Sequence, residues 1–119
     1  MHVMRIAAAA ACSCFLAAAI ADDATVVAPD KYKVEFENDK VRVLRITYGP
    51  GEQSAMHEHG DGVVVNLTDL TVQFTLPDGT MPAAEPGPAG SFLWSPAGMH
   101  AAKNIGSRRA EALFIELKD

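Results

Sequence analysis

Beyond residue 21 the chain contains three histidines, His57, His59 and His100, and most of what the sequence indicates about function comes from them. Two form a His-x-His pair, and the third follows a Pro-x-Gly turn at residues 96–98. Imidazole is the commonest protein ligand for transition metals. Alternate side chains of a strand share one face, so His57 and His59 should point the same way. The pattern predicts that three neutral imidazoles bind a divalent transition ion: iron, copper, zinc, nickel or manganese.

Two acidic residues lie close to the His-x-His pair. Asp61 stands between two glycines and could add a carboxylate ligand, although a turn aspartate is the favoured interpretation. Glu58 should point to the opposite face and into solvent. The alternative to a metal site is that the histidines are incidental residues of exposed strands.

The first 21 residues are typical of a secretory signal peptide. An apolar run of 15 residues (6–20) follows Arg5, and the small-x-small sequence at residues 19–21 is a cleavage site. A transmembrane helix needs about 20 residues, so no stable membrane anchor is expected. We therefore predict export, to a bacterial periplasm, with residues 22–30 as a leader and residues 31–119 as the folded domain.

Composition restricts the partners of the exported domain. Residues 22–119 contain no cysteine and carry nine basic and fifteen acidic side chains, a net charge of −6. The domain must therefore fold without a disulfide. Its negative charge argues against nucleic acid and anionic membranes as partners, and it permits a small-molecule ligand.

The pattern of this domain is that of an all-β protein. Short runs rich in β-branched and aromatic residues alternate with turns, and no useful length has the 3.6-residue period of an amphipathic helix. Residues 68–69 are predicted as a two-residue hairpin, and the proline-rich stretch 82–90 as irregular. Strands are predicted at 32–37, 41–48, 53–59, 63–67, 70–76, 91–94, 99–104 and 110–117.

A glycine-led pattern surrounds each part of the predicted site. In the first, five residues separate Gly51 from the His-x-His pair. In the second, five residues separate Gly90 from the Pro-x-Gly turn, and His100 is followed after three residues by Asn104. These patterns resemble the two motifs of the cupin superfamily. The first motif departs from the family in having Val63 or Val64 where a glutamate is expected, and the second is one residue short before its histidine.

This resemblance implies a single-domain jelly-roll β-barrel in which His57, His59 and His100 are metal ligands. The fourth position, usually a carboxylate, would be vacant or taken by water. The resemblance suggests a metal-dependent enzyme, oxygenase-like and acting on a small molecule. The alternatives are a non-catalytic module that binds or senses a metal or small ligand, and a metal-free barrel. We also expect a homodimer, paired through an edge strand at residues 32–37.

Overall fold

One short helix and nine strands form the part of the chain that the computed structural model describes, residues 22–119. The signal peptide predicted over residues 1–21 lies outside this range. Within residues 22–119, no helix is long and apolar enough to cross a membrane. The elements are α1 (Ala24–Val27), β1 (Tyr32–Glu37), β2 (Val41–Tyr48), β3 (His57–His59), β4 (Gly62–Asn66), β5 (Leu70–Thr75), β6 (Pro86–Gly87), β7 (Phe92–Ser95), β8 (Gly98–Asn104) and β9 (Ala110–Leu117).

The strands form two antiparallel sheets. One has the order β1-β2-β9-β4-β7 and the other the order β3-β8-β5-β6. Strands close in sequence are therefore often separated in space, as in a jelly roll, in which the chain passes repeatedly from one sheet to the other. The prediction of an all-β, single-domain jelly-roll fold is confirmed.

Sequence patterning predicted several strands well and one connection wrongly. It also missed β6, which pairs with β5 inside the stretch 82–90 that was predicted to be irregular. The bounds of β1, β2 and β9 are those predicted, because each is an uninterrupted run of strand-forming residues. The hairpin predicted at residues 68–69 is wrong, because β4 pairs with β7 and β9 while β5 pairs with β6 and β8. The two residues instead carry the chain from one sheet to the other, and the backbone amides of Leu67 and Thr68 donate to the carbonyl of Glu111.

The core lies between the sheets and is built from few large residues. Leu44, Tyr48 and Phe114 are buried, and the inward positions of β9 otherwise include the small residues Ala110 and Ala112. Small side chains on an inward face leave space that the opposite sheet cannot fill. The fold therefore keeps an internal cavity, which is described below.

The segment predicted as a leader packs against this core. Asp23 caps α1 by accepting a hydrogen bond from the amide of Thr25, and Ala24 is only 2 % exposed. The carbonyl of Asp22 accepts from the amide of Glu58, between the two histidines of β3. Residues 22–28 thus lie against the strand that carries the His-x-His pair.

Candidate metal centre and cavity

The two motifs meet in one short antiparallel ladder between β3 and β8. His57 is the direct cross-strand partner of His100, and His59 is the partner of Gly98. The 96–98 turn leads directly into β8 and so returns His100 to the strand that carries the other two histidines. The structure therefore brings the three predicted histidines together.

The three imidazole rings pack against one another around His100. Its ring centroid lies 4.9 Å from that of His57, edge to face, and 4.7 Å from that of His59. Phe74 covers the His100 ring at 4.5 Å, and Phe114 contacts His59 edge to face at 5.4 Å. The cluster is thus enclosed by aromatic side chains from β5 and β9.

Two of the rings are oriented by backbone carbonyls. His57 Nδ1 lies 3.0 Å from the carbonyl oxygen of Ala55, and His59 Nδ1 lies 2.9 Å from that of Gly60. Because a carbonyl oxygen only accepts, each Nδ1 carries the proton and donates. In a neutral ring this leaves the Nε2 lone pair free, which is the tautomer a metal-ligating histidine uses when its other nitrogen donates to a carbonyl.

Burial favours the neutral form of His57 and His100. It lowers the pKa of His57, and burial together with the neighbouring His57 and His59 lowers the pKa of His100 to about 3. Desolvation disfavours the charged imidazolium, and adjacent imidazoles add repulsion once one of them is protonated. Neutral imidazole is also the form that coordinates a metal.

The two acidic residues that lie close to the His-x-His pair in the sequence do not join the histidine cluster. Asp61 Oδ1 accepts a 2.6 Å hydrogen bond from the amide of Ala97, so its side chain ties the turn before β4 to the turn before β8. Glu58 is exposed. Within residues 22–119, no group of three or more histidine, cysteine or acidic side chains already has the arrangement of a metal site.

A cavity of about 430 Å³ adjoins the histidine cluster. All three histidines contribute to its wall, together with apolar side chains from both sheets, among them Leu44, Val64, Leu70, Val72, Phe74, Leu93 and Phe114. This volume falls within the range of small-molecule pockets, about 300–1,000 Å³. The arrangement combines an apolar chamber with a polar group of three imidazoles on one wall.

Two buried tyrosines form a second polar feature of the wall. The hydroxyls of Tyr32 and Tyr48 lie 2.6 Å apart, and the Tyr32 ring lies 4.9 Å from that of His57. Burial raises the pKa of both phenols, that of Tyr32 well above its ordinary value. Both therefore stay protonated near neutral pH and can serve as hydrogen-bond donors but not as bases.

Sequence reasoning missed the charged residues behind His59. Glu116 is buried at 8 % exposure and pairs with Arg42, which also pairs with Asp23. The alternation along β9 could have suggested an inward glutamate. However, both faces of that strand are apolar, so the pattern does not say which face is internal.

Asn104, the last residue of the second pattern, has a structural part in the site. It is fully buried, and its Nδ2 donates to the carbonyls of Tyr48, Gly49 and Arg108 while its Oδ1 accepts from the amide of Gly106. This side chain anchors the end of β8 to the end of β2. It therefore fixes the strand on which His100 lies.

The sequence matches none of the protein-family profiles, and no curated protein matches it. Its fold, however, is similar to many solved structures. A cupin domain from Bordetella pertussis Tohama I superposes with a TM-score of 0.67 at 26 % identity, covering 74 % of this chain and 92 % of that chain.

Two further solved structures show the same fold at lower identity. A cupin superfamily protein from Desulfitobacterium hafniense has a TM-score of 0.54 at 22 % identity, covering 74 % of this chain and 76 % of its own. An RmlC-like cupin family protein with a double-stranded β-helix fold, from Methanocaldococcus jannaschii, has a TM-score of 0.58 at 17 % identity. That match covers 73 % of this chain and 78 % of its own.

Proposed function

The chain belongs to the cupin superfamily, and on that basis we propose that it binds a divalent transition metal through His57, His59 and His100 and holds a small molecule in the adjoining cavity. The observation that carries the proposal is the meeting of three imidazoles on one cavity wall, two of them with Nδ1 already donating to a carbonyl. Three histidines with open positions left over are typical of a catalytic rather than a closed structural metal site.

The three imidazoles are chemically suitable ligands for a divalent transition ion. The low pKa values of His57 and His100 remove the competition with protons that usually weakens imidazole ligation. The His57 and His100 rings pack edge to face, and the His59 ring is tilted by 42° to that of His100. Because the cluster does not already have the arrangement of a metal site, the rings must move for three nitrogens to meet on one ion. When bound, the ion would supply Lewis acidity and open positions for a ligand. His57, His59 and His100 would hold it, and Tyr32 would offer a hydroxyl nearby.

The cavity favours a neutral and largely apolar ligand. Its aliphatic and aromatic wall gives no polar partners over most of its area. The charged side chains that reach it from β2 and β9 are paired, Arg42 with Asp23 and Glu116, and Glu111 with Arg45. Glu85, the other charged residue of the wall, is exposed and adds only negative charge. An anionic ligand would therefore lose its hydration without compensation. We therefore propose a small apolar molecule with one polar group directed to the histidines.

A metal-dependent enzyme of the oxygenase type is the second candidate, since the cavity would bring a ligand against the open side of the ion. The protonated tyrosine pair offers no general base for such a reaction. Binding of the metal and of a small ligand, which needs no general base, is the function we propose first.

Elemental analysis of purified residues 22–119 tests metal binding. We expect about one equivalent of a divalent transition metal in the wild type and none in the variant with all three histidines changed to alanine. Glu58→Gln is the matched control, because it lies between two of the histidines with its side chain exposed. Equal metal content in the wild type and the triple variant would refute the proposal and favour a metal-free barrel.

Fluorescent probes test the cavity. The neutral probe N-phenyl-1-naphthylamine should bind the metal-free protein more tightly than its anionic relative 8-anilinonaphthalene-1-sulfonate. Val64→Phe should weaken binding by filling the cavity, whereas Val65→Phe, on the other face of β4, should not. Equal effects of the two substitutions would contradict the assignment of the ligand to this cavity.

We also propose that the protein is exported and cleaved before Asp22. The apolar run and the small-x-small sequence support this. Intact-mass analysis of the periplasmic fraction of an exporting bacterium should find a chain beginning at Asp22. A periplasmic species that still begins at Met1 would contradict it.

A further inference from the structure

A partly buried ion-pair network lies next to the loop that follows His59. Glu116 on β9 accepts from Arg42 through Oε1, at 2.8 Å from Nε and 2.7 Å from Nη2. Arg42 on β2 also donates to both carboxylate oxygens of Asp23, at 2.6 and 3.2 Å. The network joins β9, β2 and the N-terminal segment. A buried carboxylate is tolerated where such partners compensate its lost hydration.

The second oxygen of Glu116 reaches the loop that holds His59. Its Oε2 accepts a 2.6 Å hydrogen bond from the amide of Gly60, whose own carbonyl accepts the Nδ1 proton of His59 at 2.9 Å. Gly60 is therefore held at both of its peptide groups. A Cβ at this position would lie 3.3 Å from Oε2, so the carboxylate and the glycine backbone are in close contact.

We propose that Glu116 is a positioning residue for His59: through Gly60 it keeps Nδ1 as the donor and leaves Nε2 available to a metal. This proposal rests on the proposed metal binding for its functional consequence. Glu116 stands near the site in a chain that lacks the usual motif glutamate, yet both its oxygens are already engaged, by Arg42 and by Gly60. It therefore acts on the ligand histidine and does not coordinate the ion. The Gly60 carbonyl is the direct partner of the ligand histidine, a contact of the kind worth about 10- to 100-fold in metal affinity, and Glu116 acts on it from one residue further away.

Imidazole NMR of the metal-free protein tests the positioning without any metal. With ¹⁵N-labelled histidine, the long-range proton–nitrogen pattern of His59 should show the Nδ1–H tautomer in the wild type. Glu116→Ala should convert it to a mixture, with the His57 pattern unchanged because Ala55 holds that ring. Glu116→Gln should restore most of the wild-type pattern, since an amide oxygen can accept from Gly60. If Glu116 acted only through its ion pair with Arg42, both variants would lose the wild-type His59 pattern equally. Rescue by glutamine therefore distinguishes the positioning of His59 from a purely structural role of the charge.

The same variants are then titrated with zinc. Glu116→Ala should bind zinc more weakly, by up to about tenfold because Glu116 acts through Gly60, and Glu116→Gln should lie closer to the wild type. Glu35→Gln is the matched control, because it removes a carboxylate from an arginine pair on the neighbouring exposed strand. If Glu116→Ala does not fold, Gly60→Ala replaces it, since the new Cβ crowds the carboxylate while the pair with Arg42 can remain.

The outcomes separate the two proposals. A His59 pattern unchanged in folded Glu116→Ala, or in Gly60→Ala if that variant replaces it, would overturn the positioning role. An equal loss of zinc affinity in Glu35→Gln would overturn it as well. If the pattern changes as expected but the wild type binds no zinc, the positioning of His59 stands and the proposed metal binding fails.

Discussion

His57 and His100 are direct cross-strand partners, although 43 positions separate them in the sequence, and their rings meet edge to face at 4.9 Å. One ladder of three residue pairs therefore joins the two histidine motifs. Residues that face each other across an antiparallel pair interact most directly of all neighbours in a sheet. The geometry of the proposed site thus depends on the register between β3 and β8.

The loss of His100 should remove most of the stabilisation that a metal provides. An ion at a hundredfold excess over its dissociation constant stabilises the wild type by about 2.7 kcal/mol. For a domain of this size that corresponds to roughly 10 °C or more in melting temperature. His100→Ala should reduce the gain to a small fraction in scanning fluorimetry with zinc, nickel, copper or manganese. Glu58→Gln should retain it; a full gain in His100→Ala would show that this histidine is not a ligand.

Asp61 should matter for stability and little for metal binding. Its carboxylate accepts from the amide of Ala97 and does not join the histidine cluster. Asp61→Ala should cost about 1 kcal/mol in urea unfolding, as expected for one partly exposed hydrogen bond. Asp61→Asn keeps an acceptor and should recover most of that loss. A collapse of metal affinity in both variants would instead identify the carboxylate as the missing fourth ligand.

The metal-free protein should lose stability as the pH falls from about 6.5 towards 3. The folded-state pKa of His100 is lowered to about 3, and that of His57 is also lowered. Below the ordinary histidine pKa of about 6.5 the unfolded chain therefore takes up protons that the folded chain refuses. Each such histidine contributes up to about 1.4 kcal/mol per pH unit in that window.

Urea unfolding between pH 4 and pH 8 measures this dependence. The slope should be shallower in His100→Ala, which removes the histidine with the lower pKa. An unchanged slope in that variant would contradict the assignment. Because the pKa values of His57 and His100 are lowered, metal binding should also weaken less between pH 7 and pH 5 than it does for unperturbed imidazoles.

Asn104 should be essential to the fold. Asn104→Ala would leave the carbonyls of Tyr48, Gly49 and Arg108 without this donor, and unsatisfied buried polar groups cost about 1–3 kcal/mol each. We expect a loss of 3 kcal/mol or more. Asn104→Asp should be at least as harmful, because a carboxylate donates nothing and adds a buried charge. A near-neutral effect of Asn104→Asp on the unfolding free energy would contradict this account.

The strand β1 lies at one edge of the five-stranded sheet, which supports the proposal of a homodimer paired through it. Val34 and Phe36 are exposed there. Light scattering at micromolar concentration should give twice the chain mass. Phe36→Lys should shift the protein towards monomer, while Phe92→Lys, on the opposite edge strand β7, should not. A monomer in the wild type would refute the proposal.

The sequence-based interpretation was correct where the structure depends on residues that are neighbours in the chain. The alternation and β-branched residues of 32–37, 41–48 and 110–117 predicted those strands. Residues 77–79 have the Pro-Asp-Gly sequence typical of a turn, and Gly79 has a positive φ there. The hairpin at residues 68–69 failed because partner choice in a jelly roll is non-local. A short turn there connects two sheets as readily as two neighbouring strands.

For the candidate site too, the sequence predicted one part and not the other. Three histidines at motif-like spacing predicted the cluster, because the chain beyond residue 21 has no other histidine and no cysteine. The parts that hold the cluster were not predictable in this way. Asp23, Arg42 and Glu116 come from three distant segments, and Tyr32 and Tyr48 come from two strands that read as ordinary β sequence. Only their pairing in the folded chain gives them a role.

Anomalous diffraction from crystals of residues 22–119 grown with zinc tests directly whether the three histidines bind one metal ion. We predict one strong anomalous peak at the zinc edge, with a ring nitrogen of each of His57, His59 and His100 about 2.0–2.1 Å away. His59 should ligate through Nε2, with Nδ1 still donating to the Gly60 carbonyl. A zinc peak bound by other residues, or no peak among the three imidazoles at saturating zinc, would contradict it.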